Sequence, residues 1–176
     1  LVTATVVLLL LAALTLMAGC GSLAEKAAEK AIERAASESG EKVDVDINQG
    51  GVTIKGDQGQ TEIQAGEKVS LPDGFPPELA YPDGKLVSAV STNDQGSTSY
   101  GVIYSTSKPV GEVFAYYLSA LEKAGFTVEN KMEIQNQADS GFTIQASSST
   151  HEAIIVGSSN QGENGQTGFT IQIRQK

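Results

Sequence analysis

The chain lacks the residues on which many enzymes and disulfide-stabilised domains depend. Its 176 residues include one cysteine, one histidine and no tryptophan. Because a single thiol cannot form an intramolecular disulfide, an exported domain of this sequence must be stable through packing alone. One imidazole also leaves little material for a catalytic triad or a zinc site. The sequence therefore predicts no catalytic residues, no metal and no cofactor.

Positive charge is also scarce. The chain has 12 basic and 21 acidic residues, which give a net charge of −9. Such a surface repels the phosphates of nucleic acids and the heads of anionic lipids, and no Lys/Arg cluster breaks the pattern. We therefore exclude a nucleic-acid partner, and any attachment to a membrane must have another origin.

The first residues form a long apolar run. Residues 1–19, LVTATVVLLLLAALTLMAG, carry no charge and would extend roughly 28 Å as a helix, so a plain transmembrane anchor is one interpretation. A secretory signal that ends in small residues is the other. Residues 16–20, LMAGC, resemble the lipobox of bacterial lipoproteins. This resemblance implies cleavage between Gly19 and Cys20 and lipidation of Cys20. The protein would then be anchored in the cell membrane or outer membrane, with its domain outside the cytoplasm.

The next part of the chain changes composition three times. Residues 20–42 hold the Ala/Glu/Lys-rich stretch SLAEKAAEKAIERAASES, which predicts a spacer helix with a capping box at Ser22 and Glu25. Residues 43–70 alternate apolar and polar side chains around Gly-containing turns and predict a small β-meander, which either packs on the following domain or remains a flexible stalk. Residues 71–84 hold four of the five prolines and predict an extended linker.

Residues 85–176 give the strongest pattern and predict an α+β domain. Two alternating stretches flank the turn NDQGS, and residues 109–125 then place apolar side chains at helical spacing, with Gly125 suited to the helix end. Four more alternating stretches follow. We expect a ββα-ββββ order, in which one main helix packs on an antiparallel sheet and the meander and the spacer helix precede it.

The pentapeptide GFTIQ occurs twice, at residues 141–145 and 168–172. Five residues are too few to indicate a duplicated domain. We expect instead that two strands of one sheet meet the same packing demand. Phe142 and Ile144 would then match Phe169 and Ile171 on its buried face.

The helix ending YYLSALEKAGF and the proline-rich stretch before it resemble small α+β lipoproteins of the bacterial envelope, over roughly residues 70–130. This resemblance implies no activity, and it transfers no functional residue to this chain beyond the lipobox Cys20.

One short motif is similar to a calcium-binding loop. Asp44, Asp46 and Asn48 match the first three ligands of such a loop. The match then fails, because Gln49 replaces the turn glycine and Lys55 replaces the closing glutamate. Alternating aspartates are typical of the polar face of a strand, so we predict a solvated strand here and no metal site.

His151 follows Ser147, Ser148, Ser149 and Thr150, which allows a serine hydrolase to be considered. A nucleophile and a base also need an orienting group and an oxyanion hole, and the sequence has no GxSxG motif. We predict that His151 lies in a turn or at a strand edge.

The tyrosines allow a more specific hypothesis. Tyr100, Tyr104, Tyr116 and Tyr117 are expected to gather where the strands meet the helix, either as aromatic core or as the wall of a small apolar pocket. A pocket between helix 109–125 and the sheet, open to solvent and lined by Tyr117, would favour ligand carriage.

These patterns predict a lipid-anchored envelope protein with a binding or structural role rather than a catalytic one. Its partners would be the membrane, through the lipid on Cys20, and an envelope protein or a small apolar ligand. A membrane-tethered hydrolase or a small-ligand carrier is the alternative.

Overall fold

The structure is a computed structural model, which describes residues 43–48, 51–56, 59–66, 68–135, 140–159 and 166–176, together with Lys26, Glu29, Lys30, Glu33, Arg34 and Ser37. The elements of these ranges are the strands β1 (Val43–Asn48), β2 (Gly51–Gly56), β3 (Gly59–Ala65), β4 (Lys85–Asp94), β5 (Ser97–Thr106), β6 (Thr127–Gln135), β7 (Ser140–Ser147), β8 (His151–Ser159) and β9 (Thr167–Gln175), the helix α1 (Val110–Lys123) and a 3₁₀ turn (Pro77–Leu79).

All nine strands belong to one antiparallel sheet with the order β1-β2-β3-β4-β5-β9-β8-β7-β6. Helix α1 packs on it. The predicted α+β class, an antiparallel sheet with one main helix, is confirmed.

Two finer expectations differ from the structure. In this sheet the helix follows five strands, rather than the two strands of the predicted unit. The three strands of the meander belong to the same sheet because β3 pairs with β4, from Gly59↔Asp94 to Ala65↔Ser88. A sheet of three short strands has marginal stability by itself. The meander gains β4 as a fourth paired strand, so a separate ββα-ββββ unit is not formed. The predicted N-terminal spacer helix is not matched by a described element, since these begin with β1.

Turn chemistry sets the ends of the best predicted elements. The β4–β5 hairpin turns at Gln95 and Gly96, which have φ values of 49° and 86° and match the twist of the flanking strands. Gly125 lies two residues after the last residue of helix α1, and its φ of 79° lets the Phe126 amide donate to the Leu121 carbonyl at 2.9 Å. This closure satisfies carbonyls that the last turn leaves without partners.

The main core lies between α1 and one face of the sheet. Val113, Tyr117 and Leu121 line the buried side of the helix and are fully inaccessible to solvent. Across the sheet, β7 and β9 flank β8 in matching register, so that Ile155 lies between Ile144 and Ile171. The prediction for the GFTIQ pair is confirmed, because its Phe and Ile residues are all buried on this face.

The proline-rich segment is fixed to the helix side of this core. Its side chains Phe75, Leu79 and Tyr81 are buried. Helix α1 holds the backbone of the same segment through two hydroxyls: Tyr116 donates to the carbonyl of Ala80 at 2.8 Å, and Tyr117 donates to that of Leu79 at 3.4 Å. The division of the chain into domains at residues 71–84 stays a prediction.

A second, smaller core lies on the opposite face of the sheet. Its buried members all belong to the first two strands and are Val45, Ile47, Val52 and Ile54. Strand pairing identifies this face. Val52 pairs with Ile63 and Ile63 with Val90, so these three side chains share one face. Ala89, the neighbour of Val90 in the strand, points to the other face and is buried in the main core. At the outer edge of β1, the amide of Ile47 donates to a carboxylate oxygen of Glu29 at 3.0 Å.

Candidate functional site

The predicted lipidation site lies outside the described residues. Cys20, the cleavage position Gly19 and the apolar run of residues 1–19 all fall there, so lipidation stays a prediction. Within the described part of the chain, no helix is both long and apolar enough to cross a bilayer.

His151 is the first residue of β8 and directly follows the tight turn that leads from β7. Its amide donates to Ser148 Oγ at 3.0 Å, and its carbonyl accepts from the Ser148 amide at 2.8 Å. Its ring nitrogen Nδ1 lies 2.8 Å from Thr150 Oγ1. Because a hydroxyl and not a carboxylate contacts this nitrogen, the geometry does not resemble a triad. This position, where the turn meets the start of a strand, agrees with the prediction from sequence.

The calcium-like motif lies on strand β1. Asp44 and Asp46 are exposed on one face, where their cross-strand partners are Lys55 and Thr53. Asn48 ends the strand, and its side chain lies outside the described residues. Among the described residues, no group of three or more His, Cys, Asp and Glu side chains is placed to hold a metal ion.

The tyrosines divide into two groups. Tyr104, Tyr116 and Tyr117 do gather where the strands meet the helix, together with Tyr81 and Phe169. Tyr100 lies apart from them and makes an edge contact with Phe75, at a ring centroid distance of 6.0 Å.

A ligand pocket lined by Tyr117 is not formed. Its side chain is fully buried, and the rings of Tyr81 and Phe169 lie 5.9 and 5.6 Å away. Burial raises the pKa of Tyr117 far above its ordinary value, and the nearby tyrosines add to the shift. Aromatic side chains thus fill the space that the sequence hypothesis assigned to a ligand.

Within the described part of the chain, a surface groove lies on the face of the sheet that α1 does not cover, which we call the open face. Two rows of cross-strand neighbours form it. In the first row, Val90 pairs with Gly101, Gly101 with Gln172 and Gln172 with Ile154. In the second row, Thr92 pairs with Ser99, Ser99 with Arg174 and Arg174 with Glu152. Paired residues of a sheet share a face, so the two rows present adjacent side chains.

Gly101 makes this part of the open face concave. A Cβ atom added at Gly101 would meet no heavy atom within 4 Å, so the missing side chain leaves space above the backbone. The resulting groove has a volume of about 370 Å³, at the lower end of the ~300–1,000 Å³ typical of small-molecule sites. Its lining residues are Val90, Thr92, Ser99, Tyr100, Gly101, Glu152, Ile154, Gln172, Ile173 and Arg174.

The groove has an apolar part and a charged end. Val90 and Ile154 lie in the first row, and Ile154 is 41% exposed. At the other end, Arg174 Nη2 and Glu152 Oε2 form an ion pair at 2.6 Å. Arg174 carries five N–H donors in a planar fork, so this end can hold an acidic group while the first row contacts a hydrocarbon chain.

Sequence reasoning did not identify this groove. The only local signal is a glycine in the middle of an otherwise β-branched and aromatic strand, YGVIY, which often marks a place where a ligand approaches the backbone. The other half of the groove comes from β8 and β9, some 50 to 70 residues later in the chain. Nothing in the local pattern of β5 predicts that β9 becomes its neighbour.

A comparison with protein families matches the part of the chain that carries the groove. The family model described as START domain-like matches residues 86–175, which are 90 of the 176 residues. The matched range begins at the second residue of β4 and includes α1 and the strands β5 to β9. The chain belongs to the START domain-like family. No curated protein matches the chain, and no solved structure matches it.

Proposed function

We propose that this protein is a lipid-anchored envelope protein whose START domain-like part binds a small apolar ligand with an acidic head. The groove at Gly101 is the binding site in this proposal. The ligand chain lies along the first row, between Val90 and Ile154, and the acidic head pairs with Arg174.

One observation carries the proposal: Gly101 opens a groove in a sheet face whose neighbouring strands carry apolar side chains. Ile103, Ile154 and Val156 are each more than 40% exposed on this face. Exposed aliphatic side chains next to a concave site favour an occupant that removes them from water, at roughly 25 cal/mol per Å² of apolar area buried. Membership in the START domain-like family also favours ligand binding, with lipids as the ligand class.

The packed interior supports the choice of the open face. A ligand between α1 and the sheet would have to displace Tyr117 and Leu121, which are fully buried. Displacing two such side chains from the core costs several kcal/mol. The open face needs no such rearrangement.

The proposed anchor is the lipid on Cys20, and the proposed location is the outer surface of the cell membrane or the outer membrane. The support is the lipobox-like LMAGC sequence after an uncharged apolar run. Two or three acyl chains on one cysteine would hold the protein firmly, since one chain alone anchors only marginally. A binding module held in this way meets apolar ligands at the membrane where they are concentrated.

Photolabelling tests the site. The full chain is expressed in bacterial membranes and irradiated in the presence of a diazirine-bearing fatty acid, and the labelled peptides are identified by mass spectrometry. We expect the label on β4, β5, β8 and β9, at residues of the open face. Label concentrated on α1 or on the 3₁₀ turn would overturn the proposed site.

Two glycine substitutions give a matched comparison. Gly101→Leu fills the groove, and Gly168→Leu places the same side chain on the same face two rows away, where an added Cβ also meets nothing within 4 Å. Neither change strains the strand, because leucine suits an extended backbone better than glycine does. Gly101→Leu should remove most of the labelling, and Gly168→Leu should leave it unchanged. Equal labelling of the two variants would contradict the proposal.

A further inference from the structure

Strand β6 ends the sheet, and its outer edge has no partner within the described part of the chain, where β6 pairs with β7 alone. Every residue from Glu129 to Gln135 is exposed. Half of the backbone N–H and C=O groups of such a strand point outward and are available for pairing with another strand. An edge of this length and exposure is a natural interface.

We propose that β6 pairs with β6 of a second copy of this chain. The two strands run antiparallel about a two-fold axis that passes beside Met132. Met132 then lies opposite Met132 of the second copy. The interface is isologous, so both copies contribute the same residues.

The charges of the edge are complementary in this register. With Met132 on the axis, Lys131 of each copy lies opposite Glu133 of the other. When two directly paired residues of antiparallel strands carry charges of opposite sign, each such pair stabilises the sheet by roughly 0.2–1 kcal/mol. The symmetric arrangement forms this pair twice, and no like charges face each other.

The neighbouring registers are less favourable. An axis at Lys131 or at Glu133 would place that residue opposite its own copy, so that two like charges would meet. An axis at Asn130 would carry the pairing through the irregularity between Val128 and Asn130, where β6 shifts its register against β7. From Asn130 to Gln135 the strand is regular, and the Met132 axis uses this part.

The proposed pairing also removes apolar surface from water. Met132 and Ile134 are 54% and 43% exposed on the open face. In the dimer Met132 packs against its own copy, and Ile134 lies opposite Asn130 of the second copy. Both open faces then lie on the same side of the joined sheet, because the axis is perpendicular to it.

Cysteine crosslinking tests the register. Met132→Cys places two thiols directly opposite each other, within the ~4.5–5.5 Å between Cβ atoms of paired residues and close to the distance that a disulfide needs. Ile134→Cys is the matched control on the same strand and face, and its two thiols would lie roughly 13 Å apart. Membranes that hold each full-chain variant are treated with a mild oxidant, and wild type reports any contribution from Cys20.

We expect at least about fivefold more dimer from Met132→Cys than from Ile134→Cys, because only the first pair is within disulfide reach. Equal yields, or no dimer from Met132→Cys, would overturn the proposal.

The charges are tested in the Met132→Cys background. Lys131→Glu should lower the dimer yield by about tenfold, because two pairs of like charges then face each other. Lys131→Glu with Glu133→Lys should restore it. A double variant as weak as the single one would contradict the register.

Discussion

Phe142 and Phe169 lie on opposite sides of Gly157, and each is the direct cross-strand partner of that glycine. The two phenylalanines come from the two copies of GFTIQ, and both are almost fully buried. A Cβ atom at position 157 would overlap the Phe142 ring and lie 3.0 Å from Phe169 Cβ. The glycine of β8 is therefore what allows both rings to pack on the same face.

Gly157→Ala should destabilise the fold by about 1–3 kcal/mol, because the added methyl group overpacks a filled core. The measurement is the urea midpoint of the full chain in mild detergent, followed by pulse proteolysis. Gly168→Ala is the control on the adjacent strand β9, since a Cβ there meets nothing within 4 Å. It should leave the midpoint unchanged or raise it slightly. Equal losses in the two variants would show that the space beside Phe142 is not limiting.

Local patterns predicted the elements of the main core well. The apolar stripe of α1, the glycine after its last turn and the buried residues of both GFTIQ copies all have the predicted roles, because helical and strand periodicity report directly which side chains face a core. His151 also lies in the turn region where its neighbours indicated.

Sequence patterns could not predict which strands become neighbours. The strand β5 pairs with β9, so that Ser99 lies beside Arg174, and alternation carries no information about such distant partners. The same limit explains why the sequence left open whether the meander packs on the main domain, and why the groove was missed. Its residues form a site only after β4, β5, β9 and β8 have been brought side by side.

The buried tyrosines predict alkaline instability. Desolvation raises the pKa values of Tyr81, Tyr104, Tyr116 and Tyr117, and Asp83 adds to the shift at Tyr81 and Tyr116. Above the ordinary tyrosine pKa of about 10, the unfolded chain loses protons that the folded chain keeps. The contribution of these tyrosines to the free energy of unfolding is therefore fully present below pH 10 and is lost as the pH rises further.

A spectrophotometric titration checks this sign. Part of the tyrosinate absorbance should appear only together with loss of the folded state, as followed by near-ultraviolet circular dichroism. Tyr117→Phe removes the most deeply buried of these hydroxyls, so the fall in stability above pH 10 should become less steep. A smooth titration of all five tyrosines in a chain that stays folded would contradict the prediction.

The charged end of the groove predicts head-group selectivity. Arg174→Gln should reduce photolabelling by the fatty acid about fivefold, because one charge-assisted hydrogen bond at an exposed site is lost. Labelling by the corresponding fatty alcohol, which has no charge, should change little. Lys123→Gln removes the same charge from the end of α1, on the other face, and should have no effect on either probe. Equal losses for acid and alcohol would mean that Arg174 supports the groove without recognising the head.

The proposed anchor predicts that lipid is attached to Cys20 and that the chain is cleaved directly before it. Cells that express the full chain are supplied with an alkyne-tagged fatty acid, and the protein is isolated and its mass measured. We expect a labelled protein that begins at Cys20, has lost residues 1–19 and carries diacylglycerol on sulfur. Cys20→Ser should abolish both the label and the cleavage. The double variant Cys20→Ser with Ser22→Cys also has one thiol, displaced by two residues, and should remain unlabelled. The new cysteine still follows two small residues, but the apolar pair Leu16 and Met17 no longer directly precedes that small pair. A free thiol on a chain that retains residues 1–19 would rule out the anchor and leave a transmembrane segment as the alternative.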